Sequence, residues 1–143
     1  SYFFENHIFD AHCGRKRRVA TDPERLNIWE LVVHAAYWKY AVRRLLQGEP
    51  RGTFALEGSD FWTRPESERS PDEGDADWRA DLALLANEHK LLCAAVVGYP
   101  EDKLETHFSE KKTTPLAVIT GIAAHDLYHA GQIQLLKRLR ERS

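Results

Sequence analysis

Cysteine is scarce in this chain of 143 residues, which holds only Cys13 and Cys93. They lie in different segments without CxxC spacing, so a framework of several disulfides is excluded and at most one bridge is open to it. Free thiols in a reducing compartment are the expectation. No apolar run approaches the roughly 20 residues of a membrane span. No signal peptide is visible, and the expected location is the cytoplasm. An excess of one charge is missing as well: the net charge is −2, which gives no reason to expect nucleic acid or a membrane as partner. Glycine-rich phosphate loops, GxSxG, zinc-finger spacings, internal repeats and coiled-coil heptads are absent too. What remains is one domain, residues 1–143, long enough to bury a core without staples.

The most informative stretch that is present runs from Thr114 to Arg140. Thr114 suits an N-cap and Pro115 the first helical position, while Lys137, Arg138 and Arg140 complement the negative pole at the far end. At about 100° per residue, Val118, Gly121, Ile122, His125, His129, Gln132, Ile133 and Leu136 form one stripe. That stripe is apolar at its ends and polar in its middle, and polar groups facing a core need partners. His125 and His129, at i and i+4, point the same way and can grip one ion. The other reading is two histidines satisfied by neighbouring carbonyls or carboxylates. Gly131, unfavourable inside a helix by about 1 kcal/mol against alanine, would let something approach the backbone.

A second helix is expected from Asn27, with Glu30 three residues on as a capping-box partner, to about residue 47, where Gly48 can take the left-handed stop before Pro50. Its inner stripe would be Glu30, Leu31, His34, Trp38, Ala41 and Leu45, again interrupted by a histidine. A third helix is expected from Asp75 to residue 97, with Trp78, Leu82, Leu85, His89, Leu92 and Val96 on one side. Tyr2 to Cys13 supplies at most a short first helix, followed by a basic connector, Arg15-Lys16-Arg17-Arg18. The link from Glu49 to Gly74 is long for a compact domain and carries Phe54, Phe61 and Trp62. It reads as a crossover packed by its own aromatics or as a lid over a pocket. These segments together predict an all-α bundle.

The residues Trp29 to Trp38, WELVVHAAYW, the Phe61-Trp62 pair and His125 to Ile133, HDLYHAGQI, resemble the DinB-like superfamily over roughly residues 26–140. The resemblance implies a four-helix bundle, here with a short or partial first helix, and a divalent metal held by three histidines. His34, His125 and His129 would be the ligands, with zinc or nickel first among the metals that nitrogen donors favour. It also implies a homodimer and a small-molecule substrate. The activity would be transfer of a low-molecular-weight thiol of the bacillithiol or mycothiol kind, or hydrolysis of conjugated compounds. Gln132, Glu30 and Tyr37 are the candidates for catalytic roles, with Asp126 and Tyr128 adjacent. The alternative is a non-catalytic bundle whose metal fastens helices in a structural or stress-response role; a fourth protein ligand such as His89 or Glu30 would favour it.

Overall fold

The computed structural model describes residues 23–50, 52–56, 71–109 and 111–140. Among them are three α-helices, α1 (Pro23–Leu46), α2 (Pro71–Val97) and α3 (Pro115–Arg140), one 3-10 turn at Glu101–Lys103, and no strand. The expected first helix over Tyr2–Cys13, the basic connector, and Phe61 and Trp62 lie outside the described residues.

Every one of these helices begins on a proline, the residue whose fixed φ and missing N–H suit a first turn. For α3 the expected cap is in place: Thr114 Oγ1 accepts the Ala117 N–H at 3.2 Å. For α1 and α2 the expected starts at Asn27 and Asp75 are corrected to Pro23 and Pro71, a full turn earlier. Asn27 therefore lies within the helix, a turn past its start. At the other end of α1, Gly48 has φ +68°, and the N–H groups of Gly48 and Glu49 return to the carbonyls of Leu45 and Arg44 at 3.1 and 3.0 Å. That double closure is the glycine stop anticipated from the sequence.

α2 and α3 both pack against α1. Trp29 Nε1 donates to Asp81 Oδ2 at 2.6 Å and Arg43 Nε donates to Glu88 Oε2 at 3.2 Å, so α1 and α2 run parallel. A parallel pair needs a long crossover, and residues 47–70 provide it. His34 and Lys39 of α1 meet His129 and Asp126 of α3, so this second pair is antiparallel. With neighbours on both flanks, α1 is buried at every position from Val32 to Val42. The one-sided stripe expected for it is thus too narrow.

The stripe expected on α2 is rotated in part: Leu92 is buried and Val96 packs on the core as expected, but Leu82 is 40 % exposed and His89 is exposed, and Asp81 and Glu88 are buried instead. A periodicity count places acids outside; here two of them are buried because Trp29 and Arg43 on α1 meet them. Hydrogen bonds to a charged group of this kind contribute about 1.5–3 kcal/mol each.

Tyr37, Trp38, Ala41, Val42, Leu46, Leu92, Val118 and Ile122 form the apolar core, toward the C-terminal half of α1 and the N-terminal half of α3. Phe54, from the start of the crossover, stacks on it with its ring 5.4 Å from Tyr37 and 5.3 Å from Tyr40. That portion of the link packs on the core, as a crossover should.

Candidate metal centre

The histidines sit where the antiparallel helices α1 and α3 cross beyond the core. His125 and His129 come from successive turns of α3 and His34 from α1. His34 Nε2 lies 2.9 Å from His125 Nε2, and His129 Nε2 lies 3.0 Å from the same atom. The three donor atoms fall within 4.8 Å of one another, with His34 and His129 buried and His125 half-buried. Trp38, one turn on from His34, presents its ring edge-on to His34 and His125 at 6.0 and 6.4 Å and separates the cluster from the core.

The donor set itself tests whether a metal fits. A neutral imidazole nitrogen carries either one proton or one lone pair. His125 Nε2 therefore cannot hydrogen-bond to both of its neighbours, although both are at contact distance. A cation placed among the three would take all three lone pairs at once. Tetrahedral ligands at about 2.0–2.1 Å from zinc lie roughly 3.3–3.4 Å apart, so small ring rotations suffice. The tautomer of His129 agrees: its Nδ1 donates to Gln132 Oε1 at 2.6 Å, which leaves Nε2 bare for a metal. Gln132 in turn donates from Nε2 to the Tyr128 hydroxyl at 3.1 Å.

Two of the rings, His34 and His125, are held neutral. Burial first, then the proximity of His125 and His129, pushes the His34 pKa down to about 2. His125 is pushed down to about 4 by burial and then by His129; the Asp126 carboxylate pulls it up and Lys39 adds a further lowering. Neutral imidazoles are what metal binding requires.

The other sequence candidates separate. Glu30 is half-buried, and burial raises its pKa; neither it nor His89 belongs to the histidine cluster. Tyr37 is a core residue, packed edge-on to Trp38 at 5.2 Å. Gly131 has nothing within 4 Å of the space a Cβ would take, so the close approach expected there is not seen among the described residues. His89 lies on an exposed face with its Nε2 3.6 Å from the free thiol of Cys93.

One residue escaped the sequence reading. Lys39, only 4 % exposed, forms an ion pair with Asp126, the residue beside His125. Its signal was a single lysine inside the apolar run from Val32 to Val42, where an unpaired ammonium would be expensive. Lys39, Asp126 and His129 also border a cleft of about 390 Å³ between the three helices, otherwise lined by leucine, isoleucine, valine and alanine apart from His89. Small-molecule sites occupy roughly 300–1,000 Å³ and share this mixture of apolar walls with a few polar groups.

A helical bundle with three histidines converging from two helices, two of them buried and one half-buried, next to an apolar cleft is the architecture of a candidate metal-dependent protein. The model of the DinB superfamily matches residues 6–133, and the chain belongs to that superfamily. No curated protein and no solved structure matches it. No helix among the described residues is long and apolar enough to cross a membrane.

Proposed function

We propose that the chain is a metal-dependent enzyme that transfers a low-molecular-weight thiol to, or hydrolyses, small electrophilic or conjugated compounds. The observation that carries this reading is a cluster of three histidine donors, one of which, His129, borders a cleft, with no fourth His, Cys, Asp or Glu donor among the described residues. Such a ligand set characterises catalytic rather than structural zinc sites. A divalent zinc or nickel ion held by His34, His125 and His129 would supply Lewis acidity, lowering the pKa of a thiol or water at its open position.

The chain's own residues do the rest. Gln132 fixes the ring and tautomer of His129 by accepting from Nδ1. Trp38 excludes water from the core side of the histidines. Tyr128, half-exposed, accepts from Gln132 Nε2 and so steadies the amide that orients His129. The Lys39–Asp126 pair keeps a fixed dipole beside His125. The histidines bring no negative charge, so an anionic thiol is favoured electrostatically over a neutral one. A reducing cytoplasm, a second copy of the chain as dimer partner and a packed fourth helix complete the proposal.

The test compares metal-free and metal-loaded protein against an aryl halide electrophile with a panel of small thiols. Metal-dependent turnover, lost in His34→Ala, is expected. A second reading, a metal that only fastens α1 to α3, draws on the ligands coming from both helices. Strong thermal stabilisation by metal, a closed ligand shell and no turnover with any thiol would replace the first reading by the second.

A further inference from the structure

α1 is tied to each neighbour by polar side chains set into an apolar interface. Trp29–Asp81 and Arg43–Glu88 align it with α2. Toward α3 the corresponding link is the Lys39–Asp126 ion pair. Lys39 follows His34 by about 7.5 Å of helical rise, and Asp126 is the residue next to His125. As a stabiliser this pair is poorly built. Lys39 is 4 % exposed and meets Oδ2 of the half-buried Asp126, while Asp126 Oδ1 is buried without a hydrogen-bond partner among the described residues. Desolvating an ammonium and a carboxylate can cost more than their contact returns, and apolar residues of like size often hold such a place as well or better. What an ion pair adds is a penalty on every other alignment of the two helices.

The alignment of α3 on α1 needs such a penalty. Between them the core is closed by Trp38, Ala41, Val42, Val118 and Ile122, whose apolar contacts are non-directional. If α3 slid by one turn, Ile122 or Ala130 would face Lys39, and its ammonium would be buried unpaired. His34 would then face Gly121 and His125, or His129 and Ile133, in place of His125 and His129. One imidazole would leave the cluster in either case. In the observed alignment both matches are made together.

We infer that the Lys39–Asp126 pair sets the register of α3 along α1, so that His125 and His129 meet His34. Lys39 and Asp126 are then positioning residues: they act on the histidine cluster through the two helices that carry it. The assignment rests on the three histidines being the metal centre of the proposed enzyme.

The test replaces both residues at once by apolar ones of similar size, Lys39→Met with Asp126→Leu, in the full-length chain. The two charges act on the His125 ring in opposite senses, so removing them together leaves geometry as the variable. Two of the measurements need no metal. NMR of the metal-free parent should show contacts between ring protons of His34 and His129, whose centroids are 4.9 Å apart, and the double variant should lose them. The urea midpoint of the metal-free double variant should equal or exceed that of the parent. Zinc affinity, measured by competition with a chelator, should fall at least tenfold in the double variant. Lys39→Arg, which keeps the ion pair, should retain both the ring contacts and the affinity. Ring contacts or zinc affinity unchanged in the double variant would overturn the assignment. So would a loss of affinity accompanied by a lower urea midpoint, because the pair would then only stabilise the fold. None of these readouts involves turnover. A failure of the enzyme reading therefore shows as missing metal-dependent activity, while the ring contacts decide the role of the pair.

Discussion

Replacing Gln132 by alanine removes the side chain that hydrogen-bonds His129 Nδ1. The contact is short, 2.6 Å from His129 Nδ1 to Gln132 Oε1, and it selects the tautomer with a bare Nε2. Without it the proton is free to move to Nε2, and the ring is free to turn. Loss of such a supporting hydrogen bond lowers metal affinity about 10- to 100-fold, or about 1.4–2.7 kcal/mol. Gln132 is half-buried, so the metal-free fold should lose no more than about 1 kcal/mol. The assay is a competition titration against a zinc chelator, paired with urea unfolding of the metal-free protein. Gln132→Glu, whose carboxylate accepts the same proton, should restore affinity. Equal zinc affinity in Gln132→Ala and the parent would refute the reasoning, since His129 would then be oriented by something else.

Three further outcomes are expected. The metal-free protein should lose stability as pH falls below about 6.5, because His34 and His125 have folded pKa values near 2 and 4 and so take up protons only when unfolded. The slope should reach about 1.4 kcal/mol per pH unit for His34, with a smaller share from the less buried His125; urea midpoints at pH 7 and pH 5 measure it, and equal midpoints would contradict the shifts. Asp81→Ala, which strips the acceptor from Trp29 Nε1, should cost about 1–3 kcal/mol by the same unfolding assay, and Asp81→Asn should cost less. Zinc at 100 times its dissociation constant should stabilise the parent by about 2.7 kcal/mol, an increment that chelator removes and His34→Ala lacks.

Much of α3 and of the histidine arrangement could be read from the residues. The stripe from Val118 to Leu136 is apolar except for His125, His129 and Gln132, and a helix of fixed pitch must put those three side by side. The Thr114 cap and the Gly48 stop are local and need no knowledge of the partner helices. What could not be read depends on those partners. The rotation of α2 follows from Trp29 and Arg43 reaching Asp81 and Glu88 from another helix, and no pattern within α2 encodes that. The burial of Lys39 follows from Asp126 lying opposite it in an antiparallel pair, a register set by packing. The starts at Pro23 and Pro71 carry a local signal in the prolines themselves, but Asn27–Glu30 and the acids near Asp75 offer competing start signals one turn later.

His34, His125 and His129 are proposed to hold one metal ion together and to leave a position open. X-ray absorption on zinc-loaded protein measures this directly, since imidazole rings give characteristic multiple scattering. One zinc per chain is expected, with three imidazole nitrogens at about 2.0–2.1 Å and one light ligand that exchanges for sulfur when a small thiol is added. Fewer than three imidazoles, or an unchanged zinc stoichiometry and spectrum in His129→Ala, would contradict it.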